Sequence, residues 1–142
     1  MKNKIAFLLI IINLSIASGQ SAKARTNSGD ISFRDQFFNN PSVIYNLKKI
    51  TSGNQINILD SKKLVSDKPL SFKNNVEDPT INIAIDKNDF INYNIQECIV
   101  NEDLAFVVLW EYGKNRALWF FLNKGKKTKK WYLIEVLEKT TR

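Results

Sequence analysis

Leu104-Ala105-Phe106-Val107-Val108-Leu109-Trp110-Glu111-Tyr112 and, after a Gly113-Lys114-Asn115 turn, Arg116-Ala117-Leu118-Trp119-Phe120-Phe121-Leu122 are the most informative stretch of the chain. Successive residues of a strand point to opposite faces, so the first segment sets Leu104, Phe106, Val108, Trp110 and Tyr112 on one side and Ala105, Val107 and Leu109 on the other. The second segment repeats the pattern, with Leu118, Phe120 and Leu122 against Ala117, Trp119 and Phe121. Both sides are apolar. An antiparallel sheet with one wet face alternates apolar with polar, so a two-sided apolar hairpin calls for something on each side.

Reading outward from this hairpin, Ile81, Ile83 and Ile85 alternate with Asn82 and Ala84, and Ile91, Tyr93 and Ile95 alternate with Asn92, Asn94 and Gln96 up to Ile99-Val100. Asp86-Lys87-Asn88-Asp89 and Asn101-Glu102-Asp103 mark turns, and a Lys-rich loop from Asn123 to Lys130 leads to Trp131 to Leu137. Period two, β-branched and aromatic enrichment and regular turn signals predict an antiparallel meander of four or five strands.

Upstream, Asp30 is placed to cap a helix from Ile31 to about Asn39, in which Phe33 and Phe37 lie one turn apart beside Phe38. Asn39-Asn40-Pro41 breaks that pattern, and Ser42 can cap a second short turn through Val43, Ile44, Tyr45 and Leu47. Residues 48–73 show no sustained period and read as loop with one or two short strands. The expected fold class is α+β: an N-terminal helix packed on a curved, cone-like antiparallel sheet of four to six strands.

The chain begins Met1-Lys2-Asn3-Lys4, continues through an apolar run from Ile5 to Ile16 and reaches Ala17-Ser18-Gly19. A basic start, a short apolar run and a small-residue site predict a cleavable signal peptide over residues 1–19, a flexible polar leader over 20–29 and one domain over 30–142. The run is too short for a spanning helix, which needs about 20 apolar residues. Export to the periplasm or extracellular space as a soluble protein, with no membrane anchor after cleavage, is the expected localisation.

Export permits disulfides, yet Cys98 is the only cysteine, so the fold must hold by packing alone. Cys98 sits in an apolar strand and reads as a buried small hydrophobe rather than a reactive thiol. There is no histidine, which removes Ser/His and Cys/His nucleophilic chemistry and the common His-containing zinc sites. No metal and no cofactor are expected. Charge is unevenly spread: residues 20–110 carry ten Lys/Arg against eleven Asp/Glu, and residues 111–142 carry nine against three.

The order of elements is suggestive. A Phe-rich start (Phe33, Phe37, Phe38), an Asn-Pro break, Leu47-Lys48-Lys49-Ile50 and a meander ending in Leu118-Trp119-Phe120-Phe121, a Gly-Lys turn and Trp131-Tyr132-Leu133-Ile134 resemble the nuclear-transport-factor-2-like superfamily, in particular its secreted bacterial members. That resemblance implies a concave sheet face closed by helices and, often, a homodimer through the other sheet face. It carries over no catalytic residue.

Candidate functional residues follow from these readings. Trp110, Tyr112, Trp119 and Phe121, with Tyr93 and Tyr45, are candidates for lining a ligand pocket or a subunit interface, since large amphipathic aromatics dominate such surfaces. Core packing claims any one of them equally well. Lys126, Lys127, Lys129 and Lys130 beside Trp131 form a candidate anion patch, with a solubilising, edge-protecting turn as the plainer reading. Nucleic acid is not the expected partner; envelope surfaces and polysaccharides suit an exported chain better. The acidic pairs Glu77-Asp78, Asp86/Asp89 and Glu102-Asp103 fall in turns that already explain them, and Asp86 to Asp89 lacks the remaining ligands of a calcium loop. The leading expectation is a non-enzymatic secreted or periplasmic domain that binds a small apolar ligand or a protein partner. The alternatives are a small isomerase, dehydratase or hydrolase using a buried carboxylate with Tyr45 or Tyr93, and an inhibitor or immunity-type interaction protein.

Overall fold

The computed structural model describes residues 32–87 and 90–140; the expected signal peptide, the leader and Asp30 lie outside the described residues. The N-terminal part is two short helices, α1 (Phe33–Phe38) and α2 (Pro41–Lys48). Seven strands follow: β1 (Gln55–Leu59), β2 (Leu70–Phe72), β3 (Thr80–Ala84), β4 (Tyr93–Val100), β5 (Leu104–Glu111), β6 (Arg116–Lys124) and β7 (Trp131–Thr140).

Local chemistry sets the helix ends. The Ser32 hydroxyl accepts from the Asp35 amide at 3.3 Å, so Ser32 caps α1. The Asn40 side chain accepts from Ser42 N at 2.9 Å and Val43 N at 3.4 Å and caps α2, whose first residue is Pro41; proline is suited to that position because its missing N–H would be unpaired there anyway. Phe37 and Phe38 of α1 and Val43, Ile44 and Leu47 of α2 are buried.

The strands form one sheet in the order β2-β3-β1-β4-β5-β6-β7. Strands β4 to β7 are an antiparallel meander. Strand β1, however, pairs in parallel with β3 on one side and with β4 on the other, while β2 closes the β3 edge antiparallel. The expected fold class is thus corrected. The molecule is mainly a seven-stranded mixed sheet with two short helices, and not a helix on a curved, cone-like antiparallel sheet of four to six strands.

Parallel neighbours ordinarily need a long crossover. Here β4 begins level with the end of β1, since Leu59 is the register partner of both Ala84 and Asn94. β3 thus ends and β4 starts at the same level, on either side of the end of β1, so no crossover the length of a strand is needed between them.

Both helices lie on one side of the sheet. Their apolar residues join Ile56, Ile58, Ile81, Ile83, Tyr93, Ile95, Val107, Leu109, Leu118, Phe120, Leu122 and Trp131 in the main core. Aromatic rings tie the layers together: Phe37 meets Phe120 edge-on at 5.4 Å, and Phe33 meets Trp131 edge-on at 5.0 Å. Truncating a buried Phe of this kind to Ala typically costs about 3–5 kcal/mol.

Candidate functional site

The register of the meander generates the outer side of the sheet, away from the helices. Ile99, Phe106, Phe121 and Glu135 lie in one cross-strand row, Glu97, Val108, Trp119 and Leu137 in the next, and Asn94, Trp110, Ala117 and Lys139 in a third. The Phe106 ring stands 5.6 Å from Trp119 in edge-to-face geometry and 4.9 Å from Phe121. Among the described residues no helix or strand lies over this face. Phe106, Trp110 and Trp119 are nonetheless only partly exposed, and Phe121 is 8 % exposed.

Of the sequence candidates, Trp110, Trp119 and Phe121 are thus brought together on one face. Trp110 is pinned there, its indole N–H donating to the Lys114 carbonyl at 2.7 Å. Tyr112 lies just past the end of β5 with the Lys87 ammonium 4.9 Å from its ring centre. Tyr93 and Tyr45 are not part of this face. Tyr93 is fully buried in the helix-side core and its hydroxyl donates to the Leu47 carbonyl at 3.1 Å. Tyr45 is 61 % exposed on α2, with the Lys49 ammonium 4.7 Å over its ring. Lys126, Lys127, Lys129 and Lys130 are exposed in the β6–β7 loop.

Two buried carboxylates were missed by sequence reasoning. Asp60, with no exposed surface, accepts from three backbone amides: Leu64 N at 2.8 Å, Val65 N at 2.9 Å and Ser66 N at 3.1 Å. Its carboxylate thereby shapes the loop after β1. Glu111, the register partner of Tyr93, is paired with Arg116 and Lys114, each at 2.7 Å, and Arg116 reaches on to Glu138 at 3.2 Å. Burial alone would raise the Glu111 carboxyl pKa, but the hydrogen bonds from Arg116 and Lys114 outweigh it and hold the group below the usual carboxylate range. A Glu, Lys and Arg flanking the Gly113 turn was the available signal.

The other titratable groups of interest are held neutral. Burial, and after it the Glu111 charge, pushes the Tyr93 phenol up. Burial, then Asp60 and Glu97, pushes the Cys98 thiol up to about 12, so little thiolate exists at neutral pH. A shallow depression of about 150 Å³ lies between α2 and the β6–β7 edge, lined by Asn46, Lys49, Ile50, Leu118, Val136 and Glu138. That is below the usual size of small-molecule sites, about 300–1,000 Å³. Among the described residues no three His, Cys, Asp or Glu side chains come together to hold a metal ion, and no helix is long and apolar enough to cross a membrane.

Compared with known proteins, the chain matches no family model, no curated protein and no solved structure. The resemblance to the nuclear-transport-factor-2-like superfamily therefore draws no support from them.

Proposed function

We propose that this chain is an exported, non-catalytic binding domain whose working surface is the outer aromatic face of β5 and β6 and whose partner is a protein. The observation that carries this reading is the Phe106, Trp119 and Phe121 cluster on a sheet face that no described helix or strand covers. Contiguous apolar surface rimmed by polar residues marks interaction sites, and aromatic side chains dominate the energetics of protein interfaces. The rings stand against one another rather than around a void, which favours a broad macromolecular contact over an enclosed small ligand. Glu97, Glu135 and Lys139 supply the polar rim. The non-catalytic reading is supported by the engagement of both buried carboxylates: three amides occupy Asp60, and two cations occupy Glu111. The exported location rests on the pattern of residues 1–19.

The test is a Phe106→Ser/Trp119→Ser double variant, compared with wild type by circular dichroism and hydrophobic-interaction chromatography. The expected result is a cooperatively folded variant whose column retention falls markedly. A variant that no longer folds would place these rings in the structural core and sink the reading, as would unchanged retention.

A further inference from the structure

The β6–β7 loop has a defined shape. The Gly125 amide donates to the Lys130 carbonyl and the Lys129 amide to the Gly125 carbonyl, both at 2.8 Å. The Thr128 hydroxyl accepts from the Lys130 amide at 3.3 Å and from the Tyr132 hydroxyl at 3.1 Å. Lys129 occupies the left-handed region at φ 57°. A Cβ on Gly125 would fall 2.5 Å from the Thr128 hydroxyl and 2.9 Å from the Tyr132 ring, so a side chain there would displace the loop.

This fixed loop displays Lys126, Lys127, Lys129 and Lys130 to solvent, and none of the four has an ion-pair partner among the described residues. Glu102 and Asp103 of the β4–β5 turn lie at the same end of the sheet, where the Lys124 amide donates to the Asp103 carbonyl at 2.8 Å, so positive charge prevails there. The same end carries exposed apolar groups. Leu104, Asn123 and Tyr132 form a cross-strand row, and Tyr132 and Ile134 are 49 % and 52 % exposed.

Guarding a sheet edge does not account for these lysines. The open edge is β7 itself, which carries its own charges at Glu135, Glu138 and Lys139, and charged side chains on the strand are what deter edge pairing. The loop lysines lie before that edge begins.

We propose that this end of the sheet docks reversibly on an anionic lipid bilayer, the lysines facing the headgroups and Tyr132, Ile134 and Leu104 entering the interfacial zone. Basic clusters are drawn to anionic lipid, and amphipathic aromatic and aliphatic side chains settle at the boundary between headgroups and acyl chains. A soluble polyanion would be served by the lysines and a stacking Tyr132, but would leave Leu104 and Ile134 unused. Charge and exposed aliphatics together select the bilayer.

The experiment is vesicle co-sedimentation of the full chain with phosphatidylcholine vesicles with or without phosphatidylglycerol, over a salt series. Wild type is expected to bind only the anionic vesicles and to be released by high salt. A basic residue near such a surface is worth about fivefold in partition. The Lys126→Gln/Lys127→Gln/Lys129→Gln/Lys130→Gln variant should therefore lose roughly several-hundred-fold, with an unchanged circular dichroism spectrum. A Tyr132→Ser/Ile134→Ser variant should bind several-fold more weakly with the same salt slope. Binding through the apolar residues 5–16 would ignore the loop charges, so equal partition of wild type and the quadruple-Gln variant overturns the proposal. Indifference of wild type to anionic vesicles overturns it too, and binding of a single-stranded oligonucleotide in that case assigns the loop to a polyanion instead.

Discussion

The two halves of the outer sheet face meet water by opposite means. Across β2, β3 and β1, the Ser71 hydroxyl donates to Asn82 Oδ1 and the Asn82 amide to Asn57 Oδ1, both at 2.9 Å, and the Asn57 amide donates to the Phe90 carbonyl at 2.9 Å. Across β5 and β6 the corresponding surface is Phe106, Trp119 and Phe121. The polar half satisfies its side chains along the sheet and stays hydrated. The aromatic half can only shield its rings with one another. A sheet of one connectivity thus carries, on the same side, a half whose polar groups bond one another and a half of packed rings. The junction is Asn94, register partner of both Leu59 and Trp110, whose Oδ1 is buried without a hydrogen-bond partner.

The largest expected effect lies beside the polar half, at the end of β1. Replacing Asp60 with Ala would orphan the amides of Leu64, Val65 and Ser66, and a loss of about 3–5 kcal/mol is expected in urea denaturation. A loss under about 1 kcal/mol would mean that those amides turn readily to water. A smaller effect, about 1–3 kcal/mol at neutral pH, is expected of Glu111→Gln, which weakens the pairing with Lys114 and Arg116. The folded-state pKa of Glu111 is lowered, so its contribution is present above the unfolded carboxylate value, about 4.3, and is lost as pH falls through the folded value. Wild type and variant should therefore converge in stability on acidification, and parallel pH–stability curves would disprove the ion-pair role. The smallest expected change sharpens the comparison itself. Asn82→Ala removes the middle of the Ser71–Asn82–Asn57 chain at a cost of about 1 kcal/mol, whereas Asn82→Leu should extend apolar surface into the polar half and raise retention on a hydrophobic column. Unchanged retention would show that the two halves do not act as one surface.

Much of this was legible in the residues. The alternation from Ile81 to Leu137 anticipates the positions of β3 to β7, because burial on a pleated sheet has period two whatever the topology, but the meander expected from Ile81 onward begins only at β4, since β3 pairs with β1 and β2. The two-sided apolar pattern of residues 104–122 likewise anticipates both the helix-side core and the outer aromatic face. Alternation states which side a residue takes and not which strand lies beside it, so the parallel placement of β1 was invisible. The strands at 55–59 and 70–72 were blurred because Asp60 organises the loop between them with hydrogen bonds that leave no periodic trace. Helix caps slipped by two residues in each case, since Asp30 and Ser32, and Asn40 and Ser42, are all competent cap residues. Tyr45 and Tyr93 were paired as aromatics near a site, but helix phase turns Tyr45 outward while strand phase buries Tyr93.

The central placement of β1 constrains the order in which the chain can assemble. Its partners begin at Thr80 and Tyr93, so neither exists beside it until a long intervening loop has closed. Strands β4 to β7 need only short turns, and local contacts form fastest. The meander can thus zip up first, and β1, though earlier in the chain, is seated when β3 and β4 arrive on its two sides. Until that moment β4 has a bare edge, a period of exposure during which a second unfolded copy competes for the same hydrogen bonds.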